Sequence, residues 1–139
     1  MKKKLPTNIS QTHREVYETL TSLYPYHDLR LEFSVKRLLT RFYNRKKIPK
    51  LDQDLALINA SAKLHFDIYD VTADVAIEIQ GEQHFNFNKF FHQTMDKFDR
   101  QVKNDNKKLQ VCYETNTKFI VIPTGTTITT DFIRECYEK

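Results

Sequence analysis

Glycine is scarce in this chain: its 139 residues include two, Gly81 and Gly125, and each follows a strand-like run. Nothing like a Gly/Ser linker, a low-complexity tract or an internal repeat divides the chain, so its length fits one domain around one hydrophobic core. Cysteine is as sparse. Cys112 and Cys136 have neither CxxC nor metal-knuckle spacing, and both read as reduced packing thiols in helices. No stretch approaches the roughly 18 consecutive apolar residues of a membrane span. The basic start Met1-Lys2-Lys3-Lys4-Leu5-Pro6 leads into no apolar signal core. These absences exclude a disulfide scaffold, a zinc knuckle and a helical membrane protein, and the expectation is a cytoplasmic protein.

What is present is an ordinary globular composition, 40% hydrophobic and 29% charged, with a net charge of +4. The charge is unevenly placed. Residues 1–50 hold 12 of the 22 Lys and Arg against four acids, Glu15, Glu18, Asp28 and Glu32, for a local charge of +8; the remainder carries −4. A basic half joined to an acidic half suits a protein that attracts a polyanion while holding cations among carboxylates. An unevenly charged solvated face fits the same numbers.

Hydrophobic periodicity predicts a first helix over residues 11–24, capped by Ser10 or Thr12, with Val16, Leu20 and Leu23 at helical spacing and Pro25 ending it. Leu31, Phe33 and Val35 alternate as a short strand. The basic stretch Lys36–Lys50 reads as a short helix or strand running into a loop at Pro49. Leu64–Tyr69 and Val75–Gln80 read as a β-hairpin, joined by Asp70-Val71-Thr72-Ala73-Asp74. A long helix follows at 93–115, with Met95, Phe98, Val102, Leu109 and Cys112 as its apolar stripe and Asp105 on the same stripe. A buried carboxylate there needs pairing or ligation. Thr117–Ile122 is a β-branched strand ended by Pro123, and a last helix spans 130–138. The order α-β-β-β-α-β-α gives an α/β fold: a single-domain mixed sheet flanked by helices.

In the hairpin, Val75, Ile77 and Ile79 share one face while Glu78 and Gln80 share the other, and Asp67 can join them. Phosphodiester hydrolysis near neutral pH calls for a divalent cation that activates water and offsets charge at phosphorus. Mg²⁺ prefers oxygen ligands, which Asp67, Glu78 and the backbone carbonyl of Ile79 supply; Mn²⁺ can substitute. Gln80 can orient the water, but an amide is no general base. His84 is a candidate for that task.

The segment Glu78-Ile79-Gln80-Gly81-Glu82-Gln83-His84-Phe85, with Asp67 upstream, resembles the PD-(D/E)XK signature in its (D/E)XQ form. Together with Phe90-Phe91-His92 and Asp105-x-x-Lys108-x-x-x-Cys112 it is similar to small phage and bacterial endonucleases, related to the very-short-patch repair endonuclease and to homing endonucleases of this fold. The resemblance covers residues 64–123, and more weakly the first helix with Glu15. It implies a restriction-endonuclease-like αβββαβ core, with 64–123 as the catalytic part; residues 1–50, by their charge, are the expected basic DNA-contacting segment. It implies Asp67, Glu78 and Gln80 as catalytic residues, with Glu15 near the metal; the place of Asp105 on the apolar stripe favours a buried role supporting the site. Gln80 stands where a lysine is more usual, and no proline precedes Asp67.

Plainer readings accompany each residue. Asp67 and Glu78 could be solvated on an exposed sheet face, and Gln80 merely an outward polar residue. Glu15 completes a capping box with Thr12. His84 could hydrogen-bond in a turn, and His92 reads as structural. Asp105 and Lys108 could be an ion pair one turn apart. Arg41, Arg45, Lys46 and Lys47, interleaved with Phe42 and Tyr43, are the expected contacts to nucleic-acid backbone, with Lys108 reaching a phosphate. No zinc finger or recognition helix is evident. The expected activity is a Mg²⁺-dependent DNA endonuclease, structure-selective like a Holliday-junction resolvase and then a homodimer, or of nicking, repair or homing type. A non-catalytic nucleic-acid-binding protein of the same fold is the alternative. Asn-, Lys- and Thr-rich usage fits an AT-rich genome, and a bacterial cell or phage-infected host is the expected setting.

Overall fold

Ser10 starts the first helix: its side chain accepts the backbone N–H of His13 at 3.1 Å, an N-cap that satisfies one orphan donor. Helix α1 (Gln11–Leu23) follows, with Val16, Tyr17 and Leu20 buried, and Pro25 lies just beyond its end. The computed structural model describes residues 5, 7–81 and 92–139, the side chains of residues 92–98 and 101 excepted. The chain continues through β1 (Leu29–Ser34), α2 (Val35–Arg45), a 3-10 turn at Lys50–Asp52 and α3 (Leu55–Ala60). It goes on through β2 (His65–Asp70), β3 (Val75–Gln80), α4 (His92–Glu114), β4 (Lys118–Pro123) and α5 (Thr130–Glu138).

The four strands lie in the order β1-β2-β3-β4; the first three are antiparallel and β4 runs parallel to β3. Helix α4 makes the crossover that a parallel pair requires. Two cores result, one on each face. Leu29, Ile68, Val75, Ile77, Ile120 and Ile122 meet Val16, Leu20 and Ile133 of α1 and α5. Phe33, Phe66, Tyr69 and Ala76 meet Leu38, Leu39, Leu57, Val111 and Cys112 of α2, α3 and α4. The molecule is a mixed sheet between helical layers, as the pattern of elements predicts.

Several expectations need correction. Val35 opens α2 rather than continuing the strand, because Ser34 caps that helix by accepting the Arg37 N–H at 3.2 Å. The basic stretch is therefore helical as far as Arg45. Helix α3 was not anticipated: at six residues it is too short to show a period, though Asp54 caps it at Leu57 N (2.9 Å). On α4, Val102 and Leu109 are exposed and Val111 is buried, so the apolar stripe near the C-terminal end runs through Val111 and Cys112. Thr12 lies inside α1, and its hydroxyl accepts Gly125 N at 2.8 Å, so it forms no capping box with Glu15.

At the turn of the β2–β3 hairpin, Asp70 is fully buried and well supplied with partners. It pairs with His27 Nδ1 at 2.7 Å, accepts Tyr137 Oη at 2.8 Å and accepts Ala73 N at 3.1 Å. Tyr24 stacks on both His27 and Tyr137, tying α1 and α5 to that end of the sheet.

Candidate active site

Pairing between β2 and β3 runs from Asp70↔Val75 to Ile68↔Ile77. One step further the Asp67 side chain takes over from the ladder: its Oδ2 accepts the backbone N–H of Ile79 at 2.8 Å. On the neighbouring strand Glu32, between the pairs Leu31↔Ile68 and Phe33↔Phe66, has a left-handed φ of 51°. The pleat changes sides at this level. Leu31 and Ile68 belong to the core under α1 and α5, whereas Phe33 and Phe66 belong to the core under α2, α3 and α4. Asp67 thus sits, half-buried, in a fork where regular pairing stops.

Glu78 and Lys108 meet beside this fork. Glu78 extends from β3 on the Ala76 face, toward α4, and Lys108 Nζ donates to its Oε1 at 2.9 Å. Both side chains are nearly enclosed, at 11% and 12% exposure. The reading of Glu78 as a solvated carboxylate on an open sheet face is excluded. Burial pushes its carboxyl up to about 7, Lys108 opposes that shift, and the charges of Asp67 and Asp105 add to it.

Gln80 forms the next rung. Its Nε2 donates to Asp105 Oδ2 at 3.4 Å, one helical turn before Lys108 on α4. The strand therefore faces the helix through two polar rungs, Glu78–Lys108 and Gln80–Asp105. Asp105 and Lys108 both engage the sheet. The structure brings together Asp67, Glu78, Gln80, Asp105 and Lys108. The contact sequence reasoning missed is Lys108 to Glu78. Its signal was present: Lys108 lies four residues before buried Cys112, on the side of α4 that meets the sheet.

The remaining candidates lie elsewhere. The Gln80 carbonyl accepts Thr124 N at 2.8 Å and Thr124 Oγ1 at 2.6 Å, and Gly125 N holds Thr12. These links put the start of α1 at the Gln80 end of the sheet. Glu15, one turn on from Thr12, is half-buried, and its side chain makes no hydrogen bond or ion pair with the described residues. Arg41 and Arg45 line a pocket of about 170 Å³ with Tyr69, Thr72 and Asp74, near the hairpin turn rather than at the fork. Glu78 lies four residues on from Asp74 along the strand, about 13 Å. Lys46 and Lys47 are exposed beyond the end of α2. His84 and the run Glu82–Phe91 lie outside the described residues, as does the side chain of His92.

Among the described residues, no three His, Cys, Asp or Glu side chains close on one point as a ready-made metal cage. Mg²⁺ chemistry does not require one, since one or two carboxylates, a carbonyl and water suffice. Asp67, Glu78 and the Ile79 carbonyl are an all-oxygen donor set of that kind. A desolvated carboxyl such as Glu78 is also a group whose ionised form a nearby cation favours.

No family model matches the chain, and no solved structure matches it. It is similar to Uncharacterized protein 033L of Invertebrate iridescent virus 3, at 32% identity over 60 residues covering 43% of this chain and 31% of that protein. It is also similar to Uncharacterized protein 307L of Invertebrate iridescent virus 6, at 29% identity over 65 residues, 47% of this chain and 33% of that protein. The chain spans about a third of the length of these relatives. Among the described residues no helix is long and apolar enough to cross a membrane.

Proposed function

We propose that this chain is a metal-dependent endonuclease of the PD-(D/E)XK class that hydrolyses DNA phosphodiesters. The observation that carries the proposal is the convergence of Asp67, Glu78 and Gln80 with Asp105 and Lys108 around the β2–β3 fork. With all of them ionised, three carboxylates and one ammonium leave a charge of −2, the complement of one divalent cation.

Hydrolysis forms a bond from water oxygen to phosphorus and breaks the bond from phosphorus to the leaving sugar oxygen. One proton leaves the attacking water and one arrives on the leaving oxygen. A Mg²⁺ or Mn²⁺ ion held by Asp67, Glu78 and the Ile79 carbonyl would supply charge neutralisation at the phosphate and a more acidic water. Gln80, tethered through its Nε2 to Asp105, offers Oε1 as an acceptor that aims a water O–H. An amide takes no proton, so that proton goes to solvent or to His84, the candidate on sequence grounds. The exposed lysines and arginines of α2 and the segment after it suit backbone contact without base reading, hence a structure-selective, resolvase-like enzyme. Paired cuts would then need a homodimer.

The test is incubation with labelled four-way junction, nicked, mismatched, linear and single-stranded DNA, in Mg²⁺, Mn²⁺ or EDTA. Symmetric cuts confined to the junction and absent in EDTA would support the resolvase form. Metal-dependent cutting of other substrates would retain the chemistry and change the role. Tight, salt-sensitive binding without any cleavage would move the assignment to a binding protein of this fold.

A further inference from the structure

Position 80 carries an amide, yet the centre does not lack a cation. Lys108 arrives from the opposite wall, on α4, with Nζ 2.9 Å from Glu78 Oε1 and only 12% of its side chain exposed. A surface lysine that happened to lie near an acid can lay its stem along apolar surface but keeps its ammonium in water. This one is enclosed, and the neighbouring rung explains its placement. Gln80 is tied to Asp105, and Asp105 and Lys108 are successive residues on the same side of α4. The strand runs 78 to 80 as the helix runs 108 to 105, so Gln80 and Lys108 belong to adjacent rungs and reach across from opposite walls. A lysine on the strand at position 80 would bring its ammonium against Asp105, where the Gln80 amide now donates. The chain has an amide at that point and an ammonium one rung away, on Glu78.

We infer that Lys108 takes the place of the motif lysine: it is the fixed positive charge of the catalytic centre, it orients Glu78, and it contacts a non-bridging oxygen of the scissile phosphate. The inference rests on the nuclease reading and names the residue that makes an amide at position 80 tolerable. A lysine ammonium has three donor protons. Among the described residues one goes to Glu78, which leaves two for a phosphate entering beside that carboxylate. A preorganised charge of this kind matters more as charge develops on the phosphate oxygens than in the bound ground state. Its loss should therefore appear in kcat rather than in substrate affinity.

The experiment compares the parent chain with Lys108→Met, Lys108→Arg and the double variant Gln80→Lys/Lys108→Met on one labelled DNA substrate. Single-turnover rates are read in Mg²⁺ and Kd for the same DNA is read in EDTA, with a thermal melt of each variant. Lys108→Met should slow cleavage about 100-fold or more, the size expected for a lost electrostatic stabiliser, while Kd in EDTA changes less than about threefold. Lys108→Arg should keep most activity. Returning a lysine to the strand in the double variant should recover at least about tenfold over Lys108→Met, which a packing role would not produce. Cleavage by Lys108→Met within threefold of the parent, or a loss confined to Kd, overturns the inference and leaves the nuclease reading standing. If Lys108→Met fails to fold, the double variant and Lys108→Arg decide: an inactive, folded pair overturns it. A parent chain that cuts no DNA removes the nuclease reading and this inference with it.

Discussion

Glu78 is the residue on which burial, charge and chemistry meet. Its folded carboxyl is raised to about 7 from an ordinary 4.5, so between those values the folded chain holds a proton that the unfolded chain has released. The favourable contribution is complete below about pH 4.5 and is lost as pH rises to about 7. The slope in that window is at most about 1.4 kcal/mol per pH unit. Urea midpoints in EDTA should fall from pH 5 to pH 8, and Glu78→Gln should flatten that part of the profile; an unchanged slope in the variant would rule out Glu78 as the source. A second residue can be checked chemically. Cys112 is 1% exposed and its thiol is pushed up to about 12, chiefly by burial, so it should resist alkylation at pH 8 in the folded chain. Labelling of native protein should reach Cys112 only after denaturant is added, as mass spectrometry of the peptide would show.

Elements explain which parts of this molecule were legible in its sequence and which were not. The hairpin, α4, β4 and α5 follow from runs long enough to show a period and from clear stop signals such as Pro123. The shared face of Glu78 and Gln80 on β3 followed from alternation, whereas Asp67 lies where Phe66 and Ile68 pack on opposite faces, which alternation did not foresee. Three features were hidden for physical reasons. Helix α3 is shorter than two turns, and α2, whose Val35, Leu38, Leu39, Phe42 and Tyr43 stand at helical spacing, follows β1 with only Ser34 as its cap, so that boundary lay hidden inside an apparently continuous strand. The pleat reversal at Glu32 is a backbone conformation that no residue type announces. The stripe on α4 was read through Leu109, but the helix buries Val111, and only contact with the sheet selects between them. Gly125, at φ 93° with open space around it, is required for its backbone angle, and its N–H holds Thr12. Gly125→Ala should cost about 1 kcal/mol or more in chemical denaturation, a loss that open space alone would not cause. Tyr137→Phe, which removes one of the three partners of buried Asp70, should cost about 1–2 kcal/mol by the same measurement.

At the scale of the whole molecule, the two charge domains of the sequence correspond to two regions of the fold. Most of the acids that gather at the fork come from the β2–β3 hairpin and α4, while Arg41, Arg45, Lys46 and Lys47 lie on α2 or just after it. If that basic segment holds DNA backbone, affinity should fall steeply with salt, and each alanine replacement at a phosphate contact should reduce the log K against log salt slope by about 1. The same replacements should leave the cleavage rate of fully bound substrate nearly unchanged. The enclosed pair of Glu78 and Lys108, by contrast, should govern rate. The most direct test of the account compares the parent chain with Asp67→Ala, purified side by side, on labelled DNA with Mg²⁺ and with EDTA. The account predicts cleavage by the parent that EDTA abolishes and that Asp67→Ala slows by about 100-fold or more. Cleavage that survives in Asp67→Ala at the parent rate, or a parent chain inert in every metal, would contradict it.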